Sequence, residues 1–358
     1  AGLAVVVGQA LFQVSQAWLR NERRATAHTG LALLRWVLLL LGIGLFLPML
    51  KLGATGLLLS MALSFAVTSV YALRTVIGLR RLGIHGPSLK ASLGYGLPLL
   101  PHALASVLFQ ASDQVLLAAY DADGLNTAGI YLLAAQLAST VHMLADGLQK
   151  AWTPFYLRED RDHATEGWRR VRVLSFFAVA AVSCATVGVG LFAPEVVSLA
   201  GMLSKNDWSP AAQVVPLLVM GGFLRVYYLV AFAVIMGNKG TSRWIAVVTV
   251  PAAIMNIWLN ALWIPEDGMN GAASATLVSW AVAALALGIL SRKARKVPFK
   301  FLQAAMLIPL VAGALWVGVG QGLLVRAAVL VGYVAVLAAL DGRDLWAAVR
   351  ALRDHKAG

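Results

Sequence analysis

The sequence predicts an all-α, polytopic membrane protein, and three observations carry that prediction. Hydrophobic residues fill 60% of the 358 positions and charged residues only 13%, with a mean hydropathy of +0.78, far from soluble-domain averages. Eleven apolar stretches follow one another with little between them. The basic residues gather in every second gap, the pattern of loops that alternate between the two sides of a bilayer.

Windows of about 20 apolar residues fall at 1–19, 27–49, 54–76, 93–120, 125–149, 172–194, 210–236, 243–264, 269–290, 301–319 and 323–340. Each is long enough to cross as a helix and too long for a barrel strand. The first carries Gln9, Gln13, Gln16 and Arg20, whose spacing places them on one face. The second holds Arg35 about two turns inside, where snorkelling and contact with a ligand are both open. The third opens on Gly53-Ala-Thr-Gly56. In the fourth, Gly94, Gly96, Pro98 and Pro101 predict a kinked or unwound start, which suits a moving gate as well as a static kink.

The fourth span then presents His102, Ser106, Gln110 and Asp113 at steps of 4, 4 and 3, and the fifth presents Gln136, Ser139, His142, Asp146 and Lys150. Polar faces on spans one, four and five predict a wet cavity between helices. Asp146 and Lys150 stand in the favourable order for an intrahelical ion pair; alternatively Lys150 faces the cytoplasmic mouth and attracts phosphate. His102 and His142 fit a switch near neutral pH or simple interhelical hydrogen bonds. The sixth span contains the single cysteine, Cys184, expected to be a small buried apolar residue.

Arg225 lies near the middle of the seventh span, between Leu224 and Val226 and ahead of Tyr227 and Tyr228. It is too deep to snorkel easily to either surface. Its two readings are a structural partner for Asp113 or Asp146 and a contact for an anionic substrate. Asn256 and Asn260, four apart in the eighth span, read as interhelical hydrogen-bonding groups. The last span places Arg326 four residues from its outer end, where a snorkelling side chain is expected.

The gaps at 20–26, 74–92, 150–172, 237–243 and 291–300, with the tail 341–358, hold 24 of the 29 Lys and Arg residues, whereas the intervening gaps hold only Lys51 and Lys205. A net charge of +13 in this arrangement describes a cytoplasmic membrane-surface rim, not a nucleic-acid-binding face. Residue 1 is then outside and residue 358 inside. The chain does not begin with Met and shows no basic n-region ahead of its first span, so a truncated N-terminus and no signal peptide are expected.

An internal repeat is visible. Gly53-Ala-Thr-Gly56 followed by Ser64-Phe65-Ala66-Val67 matches Gly268-Met-Asn-Gly271 followed by Ser279-Trp280-Ala281-Val282, 215 residues on. A parallel repeat of that offset gives a six-span copy at 93–290 and a first copy starting about 120 residues before residue 1. The chain would be helices 4–14 of a 14-helix protein, divided into a partial lobe of three helices (1–78), a six-helix lobe (92–290) and a terminal pair (300–340).

Enzyme and nucleotide signatures are missing: there is no Cys-x-x-Cys, His-Glu-x-x-His, phosphate-loop or nucleophile-elbow pattern. The outer gaps are too short for a catalytic domain. No cofactor and no metal site is expected.

The stretch YGLPLLPHALASVLFQASDQVLLAAY from Tyr95, with GIYLLAAQLAS at 129–139 and KAWTPFYLRED at 150–160, resembles the prokaryotic polysaccharide (O-antigen-type) flippases of the multidrug/oligosaccharidyl-lipid/polysaccharide exporter superfamily. The resemblance is specific over roughly residues 93–160; elsewhere it rests on helix count, gap pattern and the Gly-x-x-Gly at Gly268 and Gly271. The family usually has a basic residue after the aspartate matched by Asp113, and here that residue is Gln114.

What the resemblance implies is a two-lobe exporter of the bacterial cytoplasmic membrane, its C-terminus cytoplasmic. It would carry undecaprenyl-pyrophosphate-linked oligosaccharide from the cytoplasmic to the outer leaflet by alternating access around a cationic cavity. Candidate substrate contacts are Arg225, Arg35, Lys150, His102, His142, Tyr228 and Gln110, with Asp113 and Asp146 as cavity carboxylates that compete for the arginines when the site is empty. Expected partners are the lipid-linked oligosaccharide, membrane lipids and other polysaccharide-assembly membrane proteins. The competing readings are a cation-coupled multidrug exporter and a membrane glycan polymerase or ligase.

Overall fold

The structure is a computed structural model and describes residues 2–22, 24–77, 86–97, 100–121, 123–162, 165–204, 207–237, 243–295, 297 and 301–354. Its elements, all helical among these residues, are α1 (Gly2–Asn21), α2 (Ala25–Gly44), α3 (Gly53–Tyr71), α4 (Gly86–Gly96), α5 (Leu100–Tyr120), α6 (Gly124–Asp162), α7 (Thr165–Ser204), α8 (Ser209–Gly237), α9 (Arg243–Ala294), α10 (Phe301–Gly318) and α11 (Leu323–Asp354). Single π-helical turns extend α2 over Leu45–Met49 and α3 over Ala72–Ile77. Among the described residues eight helices are long and apolar enough to cross a membrane, and nine with α5, whose halves Leu100–Phe109 and Ala111–Tyr120 meet at 45°. Taking α9 as two arms and adding the shorter apolar α10 brings the number to the eleven expected.

A continuous helix of 52 residues would measure about 78 Å, more than twice the hydrocarbon thickness. α9 avoids that at Gly268, where φ is 53° and ψ −126°. Only glycine adopts such a backbone at low cost, and there the chain turns from one crossing directly into the next. Gly53, its counterpart in the repeat, has φ 51°. A methyl group on Gly56 would meet Leu52 and Phe46 at 3.0–3.1 Å, and one on Gly271 would meet Trp263 at 2.5 Å. Both second glycines therefore let a helix start against the end of the preceding one. The shared backbone geometry supports the duplication read from the sequence.

The chain divides into two compact units, residues 1–93 and 94–358. In the first, α3 buries Gly56, Ser60, Ser64 and Thr68, small residues at every fourth position that let its neighbours approach closely. The Ser60 and Thr68 hydroxyls donate to carbonyls one turn back on α3, and Ser69 donates across to the Gly8 carbonyl of α1 at 3.2 Å. Each hydroxyl is thus satisfied without water, as hydrocarbon surroundings require.

In the second unit α8 is the most buried span, flanked by α6, α7 and α9. Phe223, Val226, Tyr228 and Ile235 of α8 join Tyr131, Phe176, Leu191, Ile245 and Leu287 in one core. Outward faces are apolar too: Val247, Ile254, Leu285 and Trp316 are 64, 62, 66 and 85% exposed, as expected of surfaces solvated by lipid.

α6 and α7 are 39 and 40 residues long and overrun their expected spans, α7 at both ends and both helices at the basic end. There Glu159, buried, accepts from Arg170 at 2.7 Å, and a methyl group on Gly167 would lie 2.6 Å from its carboxylate. Trp152, Tyr156, Trp168 and Val171 close around the pair, and Arg295 stacks on Trp168. The hairpin is therefore a packed extension of both spans. The helix break expected near residue 98 falls between α4 and α5, although Pro98 itself lies outside the described residues.

Candidate functional site

Arg225 is fixed midway along α8 in the second unit. Its Nη2 lies 2.8 Å from Asp146 Oδ1 on α6, with the two side chains 17% and 40% exposed. The guanidinium also sits 5.4 Å from the Trp280 ring on the second arm of α9, a cation–π distance. Trp280 is held in turn by Phe109 of α5 at 4.6 Å and Tyr228 of α8 at 5.8 Å. One turn before Asp146, the His142 ring abuts α8 at Gly222, where a methyl group would come within 2.5 Å of it. Asp146 thus forms its ion pair with Arg225, whereas Lys150, one turn further along the same face of α6, is exposed.

His102 and Tyr228 meet at Thr249. The Thr249 hydroxyl donates to the Ile245 carbonyl at 2.7 Å, so its oxygen is left to accept from the Tyr228 hydroxyl and from His102 Nδ1, each at 3.0 Å. That arrangement assigns the proton of a neutral His102 to Nδ1.

Asp113 has a different environment. It is 5% exposed and accepts from Tyr131 Oη at 2.6 Å, Asn260 Nδ2 at 2.7 Å and Thr276 Oγ1 at 2.7 Å. Asn256 donates to Thr276 at 3.1 Å and accepts from Ser112 at 2.7 Å. The two asparagines are the interhelical contacts that their spacing predicts. Among the described residues no basic side chain pairs with Asp113, and Asn260 Oδ1 is buried without a hydrogen-bond partner. Two hydroxyls and an amide N–H thus satisfy the carboxylate without a basic partner. Among the described residues no three His, Cys, Asp or Glu share a place that could hold a metal ion. The α5 polar stripe therefore meets α9 and α6 through hydrogen bonds, while the α6 stripe meets α8.

In the first unit Arg35 stacks on three rings, 4.3 Å from Trp36, 5.1 Å from Phe65 and 5.6 Å from Phe12. Phe65 and Trp280 occupy the same position of the repeat, so each unit places its span arginine over the aromatic residue of the repeated motif. Lys150 is exposed near the basic end of α6, and the Gln110 side chain lies outside the described ones.

Arg326 corrects an expectation. It does not snorkel: it is 9% exposed, forms a two-pronged pair with Glu195 of α7 at 2.6 and 2.9 Å, and donates to the Leu191 carbonyl at 2.9 Å. A guanidinium near a helix end stays inside when a carboxylate and a backbone carbonyl face it there. Cys184 is half-buried and unpaired. Sequence reasoning missed Glu195, Tyr131, Thr249 and Thr276. Glu195 was the one with a signal, as a lone carboxylate after Pro194 at the edge of an apolar run.

No family model and no curated protein matches the sequence, but solved structures do match its shape. A MATE transporter is similar over 83% of this chain and 67% of its own, at 16% identity and a TM-score of 0.60. The lipid II flippase MurJ, in an inward closed conformation, is similar over 95% of this chain and 73% of its own, at 13% identity and 0.65. The fold is that of MATE transporters and MurJ. A further match is a transporter of the MOP superfamily from Pyrococcus furiosus with a binding pocket described as of reversed polarity, at 17% identity and 0.58 over 85% of this chain and 69% of its own.

Proposed function

We propose that the protein is a transporter that flips a lipid-linked oligosaccharide, carried on undecaprenyl pyrophosphate, from the cytoplasmic to the outer leaflet of a bacterial inner membrane by alternating access. The observation that carries this reading is Arg225: a guanidinium deep in the most buried span, stacked on Trp280 and countered by a single, partly exposed carboxylate. Such a group has donors left for a diphosphate, in a setting where charge-assisted and bidentate contacts are strong. Arg35, with only aromatic contacts on its guanidinium among the described residues, is a candidate cation of the first unit for an anionic group. Tyr228, His102 and Trp280 supply hydroxyl, imidazole and indole groups suited to sugar hydroxyls. Asp146 acts as the stand-in anion that holds Arg225 between transport cycles. The fold shared with MurJ supports the reading.

The fold shared with MATE transporters favours a second reading, cation-coupled drug export, in which Asp113 would carry the coupling ion. The cationic Arg225 in the middle of the most buried span supports the first. A glycan polymerase or ligase would need an outer catalytic domain, and connections such as 121–123 and 319–322 leave no room for one. The test is translocation of undecaprenyl-pyrophosphate-linked sugar in proteoliposomes. Arg225→Ala is expected to abolish it while folding normally, and Arg225→Lys to retain part of it. Wild-type flipping by Arg225→Ala, or uptake of cationic dyes by the native protein in place of flipping, defeats the proposal.

A further inference from the structure

A cavity of about 420 Å³ lies between α7, α8, the second arm of α9 and α10, within the size range of small-molecule sites. We propose that it holds an acyl chain of a resident anionic phospholipid whose phosphate is taken by Arg292.

Small residues make the hollow. Ala281, Ala284 and Gly288 line one wall on successive turns of α9, and a methyl group on Gly288 would touch nothing within 4 Å. The polar atoms in the lining are already committed. Tyr227 donates to the Ala304 carbonyl at 2.6 Å, Ser175 to the Arg172 carbonyl at 3.0 Å and Ser291 to the Gly288 carbonyl at 2.8 Å. With these hydroxyls already paired and the rest of the wall apolar apart from Arg292, the space suits hydrocarbon.

The mouth tells which hydrocarbon. Leu285 and Ile289, both lining residues, are 66% and 49% exposed, so the cavity opens on an apolar outer face of the second unit. Arg292 follows on the same stripe, at steps of 4 and 3 from Leu285, and lines the cavity at the basic end of α9. Carbon along the groove and positive charge at its end are complementary to a fatty chain beneath an anionic head group.

A resident lipid, and not the transported one, fits because α8 separates this cavity from the charge site. Leu224, Tyr227 and Ala231 face the hollow, whereas Arg225 and Tyr228 face Asp146 and Thr249. The chain would press on the back of the helix that carries Arg225, and transport would depend on lipid composition.

Native mass spectrometry of the purified protein, released from nanodiscs containing phosphatidylglycerol or phosphatidylcholine, tests this. The native protein is expected to retain one phosphatidylglycerol in preference to phosphatidylcholine. Arg292→Gln should weaken phosphatidylglycerol retention about tenfold and leave phosphatidylcholine unchanged. Gly288→Leu, which fills the hollow, should remove both, with Ala284→Leu as the second filling variant should the first elute as aggregate. Equal retention of the two lipids by the native protein, or undiminished phosphatidylglycerol in a monodisperse filled variant, overturns the proposal. Displacement of phosphatidylglycerol by a polyprenyl phosphate overturns it as well, by giving the cavity to the transported lipid.

Discussion

Replacing Asp146 by Asn is predicted to tighten the binding of a pyrophosphate-bearing lipid. If Arg225 grips the head group, it must first release the carboxylate 2.8 Å away, so the ion pair opposes every binding event. Its strength follows from exposure. With Arg225 17% and Asp146 40% exposed, the pair lies between surface bridges worth about 0–1 kcal/mol and buried ones whose disruption costs about 3–5 kcal/mol, and nearer the first. A value of about 1 kcal/mol corresponds to roughly fivefold tighter binding once the competitor is neutral, since 1.4 kcal/mol is tenfold. Asn keeps the shape of Asp, so packing against α8 should persist. Equilibrium binding of undecaprenyl pyrophosphate to purified native and Asp146→Asn protein measures the effect, and raising the salt concentration should narrow the gap. Unchanged or weaker binding by the variant would show that Asp146 does not compete for Arg225 and is part of its structural support.

Three further predictions concern the supports around that site. Asp113→Ala strands the Tyr131, Asn260 and Thr276 donors in a nearly dry interior, and at about 1–3 kcal/mol for each orphaned group that cannot re-pair the loss should appear as a lower melting temperature in detergent; a variant melting with the native protein contradicts it. Glu195→Gln should cost about 2 kcal/mol, since Arg326 keeps its charge in a site only 9% exposed, while Glu195→Leu combined with Arg326→Leu should restore most of the stability. A double variant less stable than the single one refutes that account. Gly268→Ala forces a side chain onto φ 53° and should destabilise by about 1–3 kcal/mol, whereas Gly313→Ala, mid-helix with open space around it, should be neutral or slightly stabilising; equal melting of the two variants would argue against the strained turn.

The fold was legible because hydropathy is a local signal: about twenty apolar residues in a row state their own environment. The glycine pair at 268 and 271 and its echo at 53 and 56 were legible as a repeat, whereas the loopless turn at Gly268 came only with the backbone. Asn256 and Asn260 announced themselves because an amide in hydrocarbon needs a partner. What stayed hidden was pairing across distance. Arg326 and Glu195 are 131 residues apart, and no periodicity links them. Tyr131 and Thr276 were overlooked because a single hydroxyl barely disturbs an apolar window, although here each is a ligand of the same carboxylate. On the α5 stripe, His102 and Asp113 are matched by residues on α6 and α9 that no local pattern connects to them, whereas Ser106 turns back to the His102 carbonyl of its own helix.

The one-glycine turn at Gly268 leaves no slack between the two arms of α9, and Asp113 ties both of them down, Asn260 from the first and Thr276 from the second, with Tyr131 of α6 as a third strap. Four membrane crossings are therefore buckled to a single carboxylate. Tilting any one of them by more than a side chain's reach drags the rest along, so this part of the molecule can travel only as a block.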